Sequence, residues 1–327
     1  MSLRELPKIR DSLSYLYVEH ARVERSDHAV ALWDKDGTRT VPCAALAALL
    51  LGPGTTVTHA AVAALAEAGC SIIWVGEGSS RLYAQGHGET RSSRRLLTQA
   101  ENHAVPARRA AVVRRMYESR FDDSLPSDAT IEQVRGKEGV RVRTAYARLA
   151  KEYRVPWHGR RYERGNWTAA DLVNRALSSG AACLYGVCHA AIVSAGYSPA
   201  LGFIHTGKML SFVYDIADLY RMDVVAPAAF EVAGRWIDNP TRAGLEREVR
   251  VACRETFRAR DLMGRVVGDI DRLLTLDEAA IEASSSWLDA AVEGLGGLWA
   301  GPEVDPADGG VNYGDPDPGE GTDDFEG

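Results

Sequence analysis

Several features that would narrow a role quickly are missing from this chain. Its 327 residues include five cysteines, an odd number, with no Cys-x-x-Cys pair. Neither a disulfide framework nor a zinc knuckle is therefore expected, and a reducing cytoplasm is the expected setting. Long apolar runs are scarce. The longest, residues 44–51, ends at Gly52-Pro53-Gly54 and falls well short of the roughly 20 residues a membrane span needs, so no membrane association is expected. The N-terminal residues 1–10 are charged and carry no apolar signal region, so nothing there directs export. No internal repeat is present. An excess of positive charge is also lacking: the formal net charge is −7.

What is there changes the meaning of that charge. Residues 301–327 contain nine acidic residues and no Lys or Arg, and setting them aside leaves 38 basic against 36 acidic residues. Residues 91–175 hold 19 Lys and Arg against 10 Asp and Glu. Phosphates respond to local potential rather than to net charge, so this segment can bind a polyanion; solvated helix faces are the plainer alternative. With 46% hydrophobic and 25% charged residues, the composition is that of an ordinary globular protein with room for two domains.

The hydrophobic pattern divides the chain. Residues 13–19, 28–33, 38–41, 70–75 and 81–84 read as short strands, with a turn at Asp36-Gly37 and a helical stretch at 57–68 that stops at Gly69. From about residue 94 the period becomes helical. Residues 96–120 are amphipathic with a break expected at Pro106. Residues 131–153 continue the pattern, interrupted by Gly136 and Gly139. Thr168 is a plausible N-cap for an apolar helix over 169–195, closed by Gly196 and Pro199, and further helical patterns cover 210–220, 228–232, 242–258 and 262–274. The expected fold class is α+β: an N-terminal β-sandwich-like domain over 1–88, a larger all-α catalytic domain over 89–285, and an acidic, Gly/Pro-rich disordered tail over 286–327.

The most informative segment is Gly202-Phe203-Ile204-His205-Thr206-Gly207-Lys208. It satisfies GxxxxGK, but Met209 follows where a P-loop needs Ser or Thr, and a helix and turn precede it in place of a buried strand, so nucleotide binding is set aside. Asp215 and Asp218, three apart on a helix, project from one face among apolar neighbours. Two carboxylates so placed repel unless a cation lies between them, and His205 could add a nitrogen. Such a donor set suits Mn²⁺ or Mg²⁺. Ordinary readings stay open beside it: a solvated Asp pair, a structural histidine, and Glu138 as the ion-pair partner of Arg141. Lys208 is a phosphate contact or a surface lysine. Tyr185 is a core tyrosine by default. Arg160-Arg161-Tyr162 can clamp phosphates and stack on a base, or form a polar loop.

Four stretches carry a family resemblance: RGKEGVRVRTAYARLAKEY (135–153), GRRYERGNW (159–167), CLYGVCHAAIVSAGYSPALGFIHTGKMLSFVYDIADLYR (183–221) and REVRVACRETFR (247–258). Over residues 13–274 the chain resembles the CRISPR-associated integrase, the larger subunit of the spacer-acquisition complex ("Cas one"), and looks closest to its type I-E subgroup. The resemblance implies Glu138, His205 and Asp218 as metal ligands for Mg²⁺ or Mn²⁺, with Asp215, Lys208 and Tyr185 in the same active site. It implies DNA contacts at Arg81, Arg160, Arg161, Tyr162, Arg221, Arg247 and Arg250. It further implies a homodimer, two dimers flanking a dimer of a small ferredoxin-like subunit, and insertion of short double-stranded DNA into a CRISPR repeat by 3′-hydroxyl attack. The chain departs from the pattern at His20, where relatives place a duplex-stacking aromatic, and at Thr56 and Ala63, where they place arginines. Two other readings remain: a general metal-dependent nuclease of branched DNA or RNA, and a non-catalytic DNA-binding scaffold.

Overall fold

Two mixed four-stranded sheets form the first part of the computed structural model, which describes residues 15–77, 81–86, 92–121, 123, 125–126, 128–160, 172–239, 244–284 and 287–288. The strands are β1 (Tyr15–Val18), β2 (Arg22–Ser26), β3 (Ala29–Asp34), β4 (Gly37–Pro42), β5 (Ala48–Leu51), β6 (Thr56–Val57), β7 (Ser71–Val75) and β8 (Leu82–Gly86), with helix α1 (His59–Glu67) between β6 and β7. One sheet runs β1-β5-β7-β8 and the other β4-β3-β2-β6. The β3–β4 hairpin turns where the sequence places Asp36-Gly37: the Asp34 carboxylate accepts the Asp36 N–H at 2.8 Å, and Gly37 takes φ +122°. Strand β2 has no counterpart in the sequence reading, because Val23 is its one buried residue and cannot by itself show a period of two.

Strand β5 joins the two parts of the protein. All four of its residues are buried, and side chains alternate across a sheet. Leu49 and Leu51 face a core shared with Val23, Val30 and Leu32 of the other sheet and Ala61 and Leu65 of α1. Ala48 and Leu50 pack instead with Ile73, Val75 and two helical residues, Ala190 and Val193.

The second part is helical among the described residues: α2 (Arg94–Ala104), α3 (Pro106–Glu118), α4 (Ile131–Glu152), α5 (Leu172–Ala195), α6 (Ser211–Asp218), α7 (Ala226–Asp238), α8 (Leu245–Ala259), α9 (Leu262–Leu274) and α10 (Glu278–Glu282). The architecture is thus α+β, as the pattern predicts. Pro106 divides the amphipathic stretch into two helices, standing at the start of α3 where its missing N–H costs nothing. Helix α4 runs through Gly136 and Gly139 and is fixed at its start by a capping box, Thr130 with Gln133. The expected cap Thr168 lies outside the described residues.

Helix α5 is the axis of the helical part and packs against α6, α7, α8 and α9. It corrects the expectation about apolar runs: by length and composition it could cross a membrane, yet 78% of its most apolar stretch is buried inside the protein. A core helix apolar on all sides needs no bilayer. At Gly180 a Cβ would stand 2.7 Å from Val225 Cγ1 and 3.2 Å from Cys253 Sγ, so glycine permits the close approach to α8. Trp287, placed by the sequence reading at the start of the tail, is buried beside Tyr117 and donates to the Ala129 carbonyl at 2.8 Å. Residues 289–327 lie outside the described residues.

Candidate active site

The chain leaves α5 through Gly196, in a left-handed conformation at φ +88°, and loops back over residues 197–210 before α6. The loop is held from outside by α2 and α3. Gln99 donates to the carbonyls of Ser198 and Leu201 and accepts the Ser198 N–H. His103 Nδ1 lies 2.9 Å from the Gly202 carbonyl, and the Arg109 guanidinium donates to the Phe203 carbonyl. Gly202 is obligatory for packing: a Cβ there would meet the His205 carbonyl oxygen at 2.2 Å and Ser211 Cβ at 2.7 Å.

From inside, the loop is held by Asp215. This side chain has no solvent exposure. Its Oδ2 accepts the N–H groups of Phe203 (2.5 Å) and Ile204 (3.1 Å), and its Oδ1 accepts the N–H of His205 (2.8 Å). The same Oδ1 lies 2.7 Å from His205 Nδ1. A buried carboxylate needs such donors, and here three backbone groups and an imidazole supply them. The bond fixes the ring and assigns a proton to Nδ1, which leaves Nε2 as the nitrogen with an available lone pair. Burial pulls the His205 pKa down, but the Asp215 hydrogen bond and charge, with the charge of Asp218, outweigh it against Arg120, and the net shift is upward.

Asp218 sits one turn further along α6, its side chain about one-fifth exposed. Arg221, in the π-helical segment Arg221–Val225, brings Nη2 to 2.8 Å from Asp218 Oδ1. The contact is an ion pair without hydrogen-bond geometry, since Oδ1 and Arg221 Nε both lack hydrogen-bond partners. Arg221 instead donates to the Tyr185 hydroxyl at 2.6 Å. Desolvation raises the Asp218 pKa, but the charges of Arg221, Arg120 and His205 reverse it and hold the carboxyl below its ordinary value. The Tyr185 ring meets Tyr214 edge-on, and Tyr214 meets His205 in the same way.

Glu138 comes from α4. Arg141, one turn on, grips it with a two-pronged hydrogen bond at 2.8 and 2.9 Å, so the ion-pair alternative is realised. A second guanidinium also bears on it: Arg120 Nη1 lies 3.9 Å from Glu138 Oε1. Arg120 follows the end of α3, and the next residue, Phe121, lies beneath the cationic groups of Lys137 and Arg141 on α4. The charge of Arg120 also bears on His205 and Asp218.

Direct contacts thus link His205 to Asp215, Asp218 to Arg221, and Arg221 to Tyr185, whereas Glu138 touches Arg141 and Arg120. Lys208 stands exposed at the loop's end, its N–H donating to Ser211 Oγ. Arg81 and Arg250 line a different feature, a cleft of about 470 Å³ between β8, α5 and α8, also lined by Tyr83 and Glu246. Arg247 is exposed on α8. Arg160 is turned inward and donates to the Asn174 carbonyl, Asn174 Oδ1 and Ser178 Oγ. Arg161 and Tyr162 lie outside the described residues. His20 adopts φ +49° and packs against Gly54.

As to a metal ion, the donor chemistry fits: His205 offers Nε2, and Asp218 Oδ1 is a buried oxygen without a hydrogen bond. Yet among the described residues no three His, Cys, Asp or Glu stand close enough together to hold an ion, and Glu138 is paired with arginines. Sequence reading missed Gln99, His103, Arg109 and Arg120. The available signal was the apolar run Ala110–Val113 beside Arg109, which marks a buried stretch of α3 flanked by a charge.

The comparisons with known proteins agree on one family. The family profile described as "CRISPR associated protein Cas1" matches residues 14–125 and 119–242. The chain is 52% identical to a "CRISPR-associated endonuclease Cas1 2" of Thermus thermophilus over 100% of this chain and 98% of that one. It is 44% identical to the "CRISPR-associated endonuclease Cas1" of Escherichia coli over 85% and 90%. Among solved structures, one titled "Crystal structure of TtCas1-DNA complex" superposes with a TM-score of 0.75 at 56% identity, covering 83% of this chain and 99% of that one. A "Casposase bound to integration product" shares the fold, with a TM-score of 0.55 at 14% identity over 81% and 96%.

Proposed function

The chain belongs to the Cas1 family of CRISPR-associated proteins, and from that premise we propose that it is a metal-dependent DNA integrase that inserts short double-stranded DNA into a CRISPR repeat array. The observation that carries the reading is the His205–Asp218 pair: Asp215 fixes the His205 ring through Nδ1 and leaves Nε2 as its donor atom, and Asp218, one helical turn after Asp215, has a buried Oδ1 without a hydrogen bond. The "TtCas1-DNA complex" relative supports DNA as the partner, and membership of the type I-E subgroup is part of the proposal. The reading includes a homodimer, two of which flank a dimer of a small ferredoxin-like subunit in the cytoplasm. It also keeps the division into a β-rich domain over 1–88, a catalytic helical domain over 89–285 and an acidic tail over 286–327.

The reaction is a transesterification. The 3′-hydroxyl oxygen of the incoming strand forms a bond to phosphorus in the repeat strand, the bridging oxygen on the opposite side departs, and a new 3′-hydroxyl is released. No enzyme nucleophile is needed, and three buried cysteines are unsuited to that role: burial pushes the pKa of the Cys183 thiol up to about 11, and those of Cys188 and Cys253 higher still. Glu138, His205 and Asp218 would hold Mg²⁺ or Mn²⁺, which supplies Lewis-acid polarisation of the phosphoryl group when bound. Asp215 positions the imidazole and keeps its proton on Nδ1, while Tyr185 orients Arg221 against Asp218. Lys208 is placed to neutralise a non-bridging oxygen. Arg81, Arg247 and Arg250 contribute phosphate contacts that fix register and carry little sequence information.

The test compares donor duplexes that differ only at the 3′ end, using a plasmid bearing a CRISPR repeat, the small subunit and Mn²⁺. Strand transfer is expected with a 3′-hydroxyl end and none with a 3′-deoxy end. Equal cleavage of branched DNA with either end, indifferent to the repeat, would favour the general nuclease reading instead.

A further inference from the structure

Arg120 is placed unlike the other cations near the site. Its side chain is only 6% exposed, and its Nε and Nη2 have no hydrogen-bond partner. Its guanidinium lies over the Tyr117 ring at 5.0 Å and reaches 3.9 Å from Glu138. A buried guanidinium with two unsatisfied nitrogens is costly, so something must hold it there. The surrounding field does so. It faces Glu138, and its charge also reaches the two residues of the loop and α6, favouring the ionised Asp218 carboxylate and opposing a proton on His205. Arg141 grips Glu138 and Arg221 pairs with Asp218, each from three residues further along its own segment.

We propose that Arg120 is a built-in counter-cation: in the metal-free protein its guanidinium stands beside Glu138 in place of the divalent ion, offsets the repulsion between the Glu138 and Asp218 carboxylates, and competes with the ion for them. The inference rests on the metal-ligand reading above and adds to it a residue with a regulatory effect on metal occupancy. A unit positive charge beside the carboxylates opposes an arriving dication, so metal binds weakly until Arg120 swings away. Removing the charge removes the opposition, and leaves the carboxylates to repel one another when no metal is present.

The experiment measures Mn²⁺ binding to the full chain, without DNA, by electron paramagnetic resonance of the free ion, alongside thermal melts with and without Mn²⁺. The proteins are wild type, Arg120→Gln, Arg120→Lys and Asp218→Asn. Arg120→Gln is expected to bind Mn²⁺ at least about tenfold more tightly than wild type, and Arg120→Lys about as weakly as wild type. Mn²⁺ should raise the melting temperature of Arg120→Gln more than that of wild type. If Arg120→Gln is unfolded without metal, Mn²⁺ is expected to fold it, and failure to do so counts against the proposal. Equal Asp218-dependent binding in wild type and Arg120→Gln overturns the counter-cation alone. Absence of any Asp218-dependent binding in every protein overturns the metal-ligand reading with it.

Discussion

Replacing Asp215 by Asn separates a carboxylate that positions from one that ligates. The side chain is fully buried and accepts four N–H groups, two on each oxygen. Asparagine keeps one acceptor oxygen and presents an NH₂ at the other position, so two of the four donors lose their partner and face another donor. Each hydrogen bond to a buried charged acceptor contributes about 1.5–3 kcal/mol, so the gross loss is about 3–6 kcal/mol. Relief of carboxylate desolvation offsets part of it, and the expected net loss is about 2–4 kcal/mol. Urea denaturation reads this as a lower midpoint at unchanged slope. Strand transfer should fall as well, because the loop that carries His205 loosens. If Asp215 were instead a metal ligand with free lone pairs, Asp215→Asn would abolish strand transfer while leaving the metal-free protein as stable as wild type. A stability change under about 0.5 kcal/mol would therefore refute the positioning role.

Three further outcomes are expected. Gly202→Ala should cost about 1–3 kcal/mol, read by thermal melting, because its Cβ would overlap the His205 carbonyl; a melting curve unchanged from wild type would show that the loop yields freely. His205 has a folded-state pKa above its ordinary 6.5, so its contribution to stability is complete below that value and lost as pH rises through the folded value. His205→Gln should flatten that part of the stability profile, whereas Mn²⁺ affinity of wild type should climb over the same interval as the ring gives up its proton; a profile identical in both proteins would remove His205 as the titrating group. Tyr185→Phe deletes one hydrogen bond to Arg221 and should slow strand transfer about three- to tenfold with no change in fold, and an unaltered rate would mean Arg221 needs no help in facing Asp218.

The parts of the fold with a repeating signal were legible in the sequence. Helices α4 and α9 and strand β7 announce themselves by period, and Pro106 and the Asp36-Gly37 turn by backbone chemistry. Strand β2 did not, because a single inward valine has no period. The apolar α5 was seen as a helix, but its length and burial together emerge only from its packing. At the site, the spacing of Asp215 and Asp218 suggested two like carboxylates sharing a cation. The structure gives them different tasks: Asp215 turns wholly inward to the loop, and Asp218 turns toward the arginines. Nothing in a three-residue spacing distinguishes the two, since the donors that decide it come from residues 203–205. Glu138 and Arg120 are eighteen positions apart, and only the packing of Phe121 beneath α4 brings them together.

The most direct measurement is strand transfer of a 3′-hydroxyl duplex into a repeat-bearing plasmid by wild type and Asp218→Ala, with the small subunit present, in Mn²⁺ and in EDTA. Wild type should transfer in Mn²⁺ and not in EDTA, and Asp218→Ala should bind the same DNA yet transfer in neither. Transfer by Asp218→Ala at the wild-type rate, or by wild type in EDTA, would contradict a metal-dependent integrase built on these residues.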